Sequence, residues 1–222
     1  MGRYLDRISA GQALAAALGA PDKDTLVLGL PRGGVPVAAE VARALGLALD
    51  VLVVRKLGVP GHDELAMGAV AAAGAGGKGV RVLNHGVIQG LAISPVTIDA
   101  VTALERRVVE RRARMLRPGM RPLELSGRDV IVVDDGVATG ATARAAIAVA
   151  KAAGARHVTF AAPVGPPDAV ITLARECDRV VVPMQPEPYG AVATWYERFE
   201  AVPEGAIQRL LEELRARVPA PA

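Results

Sequence analysis

The sequence predicts an α/β protein with a doubly wound, mainly parallel sheet. Short, largely apolar runs at residues 25–30, 49–54 and 129–133 are typical of strands that are buried on both faces. Ala- and Val-rich segments of helical length lie between such runs, and Gly46 and Gly154 follow two of these segments. Strands that alternate with helices form parallel sheets through crossover connections, so this order indicates helices on both faces of one sheet.

The remaining elements extend this alternation. The spacing from Ser9 to Gln12 is that of a capping box before a first helix that ends at Gly19. The other predicted helices and strands are helix 35–45, helix 97–116, helix 140–153, strand 157–162, helix 166–175, strand 179–182 and a final helix near 204–217.

Residues 57–95 interrupt the alternation. The segment is rich in glycine, and residues 72–79 have almost no local preference. We predict a flexible loop or hairpin here, with strands at 66–70 and 80–83 on either side. Residues 1–222 are then one domain that carries this insertion.

Composition excludes several classes of protein. Cys177 is the single cysteine, so an intramolecular disulfide and a zinc site built on cysteines are excluded. The charged N-terminus lacks the apolar core of a secretory signal, and no uncharged apolar run approaches the length of a membrane span. We therefore expect a cytoplasmic protein without a membrane partner.

Residues 130–142, Val-Ile-Val-Val-Asp-Asp-Gly-Val-Ala-Thr-Gly-Ala-Thr, are the most informative segment. A buried strand leads into the adjacent carboxylates of Asp134 and Asp135, then into a turn of small residues and a helix. At the carboxyl edge of a parallel sheet, the free N–H groups and positive end of a helix suit a phosphate. The acids lie one step upstream, where they could accept hydrogen bonds from the hydroxyls of an attached sugar. A capped strand-to-helix turn without a ligand is the alternative.

The segment resembles the motif with which type I phosphoribosyltransferases bind 5-phosphoribosyl-1-pyrophosphate (PRPP). The resemblance implies the type I fold over residues 25–185, and transfer of phosphoribosyl to a nitrogen acceptor, such as a nucleobase, with release of pyrophosphate. Asp134 and Asp135 would hold the ribose hydroxyls, and one of them could assist proton movement. The 5′-phosphate loop would consist of Gly136, Val137, Ala138, Thr139, Gly140, Ala141 and Thr142. Glycine at position 136 departs from the apolar residue that is frequent in the family.

The loop after the first strand fits the same resemblance. The family binds pyrophosphate on such a loop, which makes Arg32 and Gly33 candidates, since arginine offers a forked donor and glycine permits unusual backbone angles. Arg55 and Lys56 are expected to end the second strand at the same edge and to neutralise pyrophosphate. With Asp134 and Asp135, Arg32 and Lys56 complete the candidate catalytic set. An ordinary turn and a strand-end charge pair are the alternatives.

Two further regions take roles from the resemblance. The segment 57–95 stands where the family has a flexible loop that closes over the site, or it is a plain surface loop. Its candidates to reach the substrate are His62, Asp63, Glu64, Lys78 and Arg81. A hood is expected at about 184–202, together with the C-terminal helix. Its aromatic residues, Tyr189, Trp195, Tyr196 and Phe199, are candidates to stack on the acceptor base. Alternatively, Trp195, Tyr196 and Phe199 form a small satellite core that packs on the final helix.

The arginine-rich helix leaves a second function open. Glu105 and Glu110 are interspersed among its arginines, which favours a solvated face over a nucleic-acid surface. The alternatives to a phosphoribosyltransferase are a non-catalytic PRPP sensor that binds nucleic acid through this helix, and a phosphatase or hydrolase. We favour the enzyme, with PRPP and a small acceptor as partners, Mg²⁺ held mainly through PRPP, no nucleic acid, and a homo-oligomer, expected to be a dimer.

Overall fold

The computed structural model describes residues 2–73, 79–118 and 123–215. Its helices are α1 (Arg7–Leu18), α2 (Gly34–Leu45), α3 (His85–Gly90), α4 (Pro95–Leu116), α5 (Ala141–Ala152), α6 (Pro167–Leu173) and α7 (Glu204–Arg215), with a 3₁₀ turn at Val192–Trp195. Its strands are β1 (Leu26–Gly29), β2 (Ala48–Val51), β3 (Val54–Val59), β4 (His62–Ala73), β5 (Gly79–Leu83), β6 (Asp129–Val133), β7 (His157–Ala161) and β8 (Arg179–Val181).

The predicted parallel sheet is confirmed. Its strands have the order β2-β1-β6-β7-β8, and β1 pairs with β6 in a register that joins Gly29 to Val133. On one face, α1, α2 and α7 cover a core that includes Ile131. On the other face, α5 covers a second core that includes Val130 and Val132. Alternate residues of the strands are therefore buried on opposite faces, which explains why the strands are largely apolar.

Helix α1 begins before the predicted capping box. The N-cap is Asp6, whose Oδ1 accepts a hydrogen bond from the backbone N–H of Ser9 at 2.9 Å. The Ser9 hydroxyl in turn accepts one from the Asp6 N–H at 3.1 Å. A reciprocal pair of this kind satisfies two N–H groups that a helix start would otherwise leave free. The consequence is that Arg7, and not a residue after Ser9, is the first residue of the helix.

The insertion is largely regular structure. Strands β3, β4 and β5 form a second, antiparallel sheet, so the predicted hairpin is confirmed, and α3 follows it. The segment therefore contains less loop than expected. Its glycine-rich centre, with Lys78, lies outside the described residues. The prediction that Arg55 and Lys56 end the second parallel strand is wrong. Strand β2 stops at Val51, and the chain then leaves the sheet edge to pair with β4.

A buried ion pair joins the edge of the parallel sheet to the end of α4. The guanidinium of Arg117 donates to both carboxylate oxygens of Asp50, each at 2.8 Å. The two side chains are 9% and 5% exposed. Two parallel bonds to one carboxylate fix the orientation of both groups and offset part of the cost of their burial. None of the helices in the described ranges has the length and apolar character needed to cross a membrane.

The substitution Asp50→Ala should destabilise the fold by about 3–5 kcal/mol, because it removes the carboxylate from a buried guanidinium. Urea unfolding followed by circular dichroism measures this. The control is Glu176→Ala, which removes an ion pair with Arg144 whose side chains are 51% and 30% exposed. That change should cost no more than about 1 kcal/mol. Equal losses of stability in the two variants would contradict the conclusion that the buried pair of Asp50 and Arg117 stabilises the fold more than an exposed ion pair does.

Candidate functional site

The loops that follow β1 and β6 lie against each other at the carboxyl edge of the sheet. The Leu30 N–H donates to the Val133 carbonyl at 2.8 Å. A Cβ at Gly33 would lie 1.8 Å from Oδ2 of Asp135, and one at Gly34 would lie 2.5 Å from the Val133 carbonyl. No side chain fits at either position. The structure thus brings together the arginine–glycine loop and the acid pair that the sequence places a hundred residues apart.

Arg32 extends from this loop into solvent. Its side chain is exposed, and within the described ranges no residue is paired with its guanidinium. The peptide bond between Pro31 and Arg32 is cis. The geometry leaves all five donors of this side chain available to an anion beside the acid pair.

The turn from β6 into α5 has a buried side and an open side. Gly136, Val137 and Gly140 are buried, and the Val137 N–H donates to the Val164 carbonyl at 2.9 Å. Gly140 has φ of 76°, a left-handed conformation that glycine adopts without strain, and it is the N-cap of α5. The remaining predicted cradle residues are exposed: Ala138, Thr139, Ala141 and Thr142. The open side therefore presents the start of a helix and two hydroxyls to a ligand.

An arginine from the first helix contacts the acid pair. Nε of Arg7 donates to Oδ2 of Asp135 at 2.8 Å, and Nη1 donates to the Glu200 carbonyl at 2.8 Å. Its guanidinium carbon lies 3.8 Å from the centre of the Phe199 ring. Arg7 was not among the predicted site residues. Arg7 and Asp135 are 128 positions apart, and no motif connects them.

The two acids have unusual protonation behaviour. Burial raises the pKa of Asp134 well above its ordinary value, and the neighbouring charge of Asp135 raises it further. Burial also raises the pKa of Asp135, but the hydrogen bond and charge of Arg7 oppose that rise. The Asp135 N–H donates to Oδ1 of Asp134 at 2.9 Å. The pKa of both acids is therefore raised, that of Asp134 strongly, while Arg7 opposes the protonation of Asp135.

The hood aromatics divide into two groups. Tyr196 is 4% exposed and packs against the rings of Tyr4 and Phe199. With Trp195 these residues form a satellite core, but it is built on Tyr4 and Ala10 near the start of the chain and not, as expected, on the final helix. The Tyr196 hydroxyl also donates to the Asp135 carbonyl. This hydrogen bond connects the hood to the loop that carries Asp134 and Asp135.

Tyr189 is oriented differently. Its ring stacks on Trp195 with centroids 6.4 Å apart, and the Trp195 indole N–H donates to the Tyr189 carbonyl at 2.8 Å. Its hydroxyl is buried and has no hydrogen-bond partner in the described part of the chain. Burial, followed by the charges of Asp135 and Asp134, raises the pKa of this phenol to about 12. This hydroxyl therefore stays neutral near pH 7 and still has a hydrogen bond to donate.

The basic residues of β3 lie on the antiparallel sheet. Arg55 is paired with Glu105 of α4 at 2.8 Å, with its side chain 47% exposed. Lys56 lines a cavity of about 240 Å³ between the antiparallel sheet and α5, to which Ala141 also contributes. Of the predicted loop candidates, Arg81 pairs with Asp99 at 2.9 Å and His62 is exposed on β4. The side chains of Asp63 and Glu64 lie outside the described residues.

Gly33→Ala tests the contact between the two loops. Its added methyl group would overlap the Asp135 carboxylate, so we expect a loss of about 1–3 kcal/mol in stability. Thermal unfolding measures the change. Gly90→Ala is the control, because a Cβ there meets nothing within 4 Å. If Gly33→Ala unfolds at the temperature of that control, the loops are not in contact.

Comparison with known proteins gives the family. A family model described as a phosphoribosyl transferase domain matches residues 10–185. Proteins from two strains of Mycobacterium tuberculosis, provisionally named phosphoribosyl transferases, are 46% identical over 208 residues. The match covers 93% of this chain but 46% of theirs, so the chain spans about half the length of these relatives.

A solved structure matches nearly the whole chain. The protein TT1426 from Thermus thermophilus is 41% identical, with a TM-score of 0.85, and the match covers 96% of this chain and 99% of that one. The match of the family model includes the arginine–glycine loop, the acid pair and the turn into α5. On these grounds the chain belongs to the phosphoribosyl transferase domain family.

Proposed function

We propose that the chain binds Mg²⁺-PRPP and transfers its phosphoribosyl group to a nitrogen acceptor, with a nucleobase as the acceptor class. The observation that carries the proposal is the acid pair at the end of β6, followed at once by the open N-terminal turn of α5. Asp134 and Asp135 accept hydrogen bonds from the ribose hydroxyls, while residues 136–142 surround the 5′-phosphate. The adjacent Arg32 loop receives the pyrophosphate.

The transfer is a substitution at C1 of the ribose. The nitrogen lone pair forms the new bond to C1 as the bond from C1 to pyrophosphate oxygen breaks, and the pyrophosphate leaves with that electron pair. The nitrogen then loses its proton to solvent or to a carboxylate. Because positive charge develops on the ribose in the transition state, an ionised carboxylate near the ring stabilises it. Positioning of both reactants supplies much of the remaining acceleration.

Magnesium enters this proposal as part of the substrate. No group of three His, Cys, Asp or Glu side chains suited to a metal occurs among the residues that the structure describes. Mg²⁺ typically takes few protein ligands and binds through substrate phosphates and water. The ion would thus be held by the pyrophosphate oxygens of PRPP, and the acids remain free to bind the sugar.

Titration calorimetry with Mg²⁺-PRPP tests the site. The wild type should bind with micromolar affinity, and Asp134→Asn/Asp135→Asn should lose at least about a hundredfold, since both carboxylate acceptors are removed. Asp129→Asn, at the opposite end of β6, is the matched control and should bind as the wild type does. A wild type that binds neither PRPP nor ribose 5-phosphate would refute the proposal. Binding without pyrophosphate release across a panel of bases would favour a PRPP sensor.

Two tyrosines provide a paired test of the hood. Tyr189→Phe removes a buried hydroxyl without a described partner, so stability should stay the same or rise slightly. Tyr196→Phe removes the bond to the Asp135 carbonyl and should cost about 1 kcal/mol. Affinity for PRPP or the acceptor should fall in Tyr189→Phe, because the ligand supplies the missing partner. Thermal unfolding and calorimetry on both variants separate the two roles, and unchanged ligand affinity in Tyr189→Phe would exclude ligand contact by its hydroxyl.

A further inference from the structure

We propose that Arg7 is a positioning residue of the site: it orients the Asp135 carboxylate for the ribose, and it can do so only while the hood is packed against it. This inference rests on the proposed PRPP site and adds to it a residue outside the resemblance. It also assigns a reason for the contact between the first helix and the hood.

Three contacts fix the guanidinium from three sides. Nε donates to Asp135 at 2.8 Å, Nη1 donates to the Glu200 carbonyl at 2.8 Å, and the Phe199 ring lies 3.8 Å from the guanidinium carbon. The side chains of Arg7 and Asp135 are only 13% and 14% exposed. A cation held by a carbonyl and an aromatic face in a desolvated place has little freedom to leave. One carboxylate oxygen of Asp135 is thereby fixed.

The surroundings of Asp135 give this contact its importance. On the Gly33 side there is no space, since a Cβ there would lie 1.8 Å from Asp135 Oδ2 and 3.2 Å from Nη2 of Arg7. The titratable groups that face the carboxylate are Asp134 from its own loop, Arg7 from α1, and Tyr189 and Tyr196 from the hood. Arg7 is the single cation among these four. It therefore favours the ionised form of Asp135, the form that only accepts hydrogen bonds and so suits two hydroxyl donors.

The same contacts couple the hood to the acids. The Tyr4 N–H donates to the Trp195 carbonyl, and the Glu197 N–H donates to the Tyr4 carbonyl, each at 2.9 Å. These bonds align the segment before α1 with the segment that carries Phe199. Displacement of the hood would remove both the ring and the Glu200 carbonyl from Arg7. The orientation of the Asp135 carboxylate thus depends on the position of the hood.

The test compares Arg7→Met, Arg7→Lys and Phe199→Leu in the full chain. Arg7→Met should weaken Mg²⁺-PRPP binding at neutral pH by at least about tenfold and shift the pH midpoint of binding upward by about one unit. The sign follows because loss of the cation raises the pKa of Asp135, so that the ionised form is lost at a higher pH as the pH falls. Arg7→Lys should restore the pH midpoint but not the full affinity, since an ammonium lacks the planar fork. Phe199→Leu should shift the midpoint less, in the same direction.

The control is Arg156→Met, which breaks an ion pair of 2.7 Å with Asp129 at the other end of β6. It should change neither affinity nor the pH midpoint. Carboxyl carbon NMR of the ligand-free variants gives a readout that is independent of PRPP, and the Asp135 resonance should titrate at a higher pH in Arg7→Met. Should Arg7→Met not fold, Arg7→Lys and Phe199→Leu still decide the matter.

The outcomes separate the two proposals. An unshifted Asp135 titration and an unchanged binding profile in Arg7→Met, with normal PRPP binding by the wild type, overturn the role of Arg7 alone. If Arg7→Met does not fold, an unshifted Asp135 titration and an unchanged binding profile in Phe199→Leu overturn the role of Arg7. A wild type that does not bind PRPP overturns the proposed function, and this inference with it, whatever the NMR titration gives.

Discussion

The partial burial of two neighbouring carboxylates at the end of β6 is the constraint on which the other features of the site depend. Each charge is costly to remove from water unless donors surround it. Asp134 receives the N–H of Asp135, and Asp135 receives Arg7. Arg7 is the first residue of α1 and directly follows the N-cap Asp6. The hydroxyl of Tyr196 donates to the Asp135 carbonyl in the same loop. A helix start, an aromatic cluster and a sheet edge thus contribute to one electrostatic requirement.

Small residues let the chain meet this requirement in little space. The β1 and β6 loops leave no space for a side chain at Gly33 or Gly34. Gly136 is constrained in a similar way, because a Cβ there would lie 2.5 Å from the side chain of Val192 in the hood. Glycine at that position, a departure from the family pattern, is thus explained by close packing of the hood on the cradle. The backbone loops then approach one another closely enough to form one concave edge.

The antiparallel sheet shows where local pattern was misleading. Apolar residues continue from β2 into Leu52 and Val53, so the pattern predicts one strand through Val54. The chain instead leaves the parallel sheet after Val51 and pairs with β4, and Arg55 is then directed to Glu105 on α4. Long-range pairing decided the boundary, because an edge strand can end wherever a better partner is available. The Asp50–Arg117 pair holds this edge against α4.

The sequence alone determined the alternation of strands and helices, the parallel sheet, the hairpin, and the edge at which Asp134, Asp135 and the Arg32 loop lie. These follow from local periodicity, from glycine, and from the rule that strands of a parallel sheet present their carboxyl ends together. Only the tertiary structure decided that Arg7 contacts Asp135, that the Tyr196 hydroxyl donates to the Asp135 carbonyl, and that Arg55 belongs to a different sheet. These contacts join residues far apart in the chain, and their free energy arises from burial and pairing that no local pattern encodes.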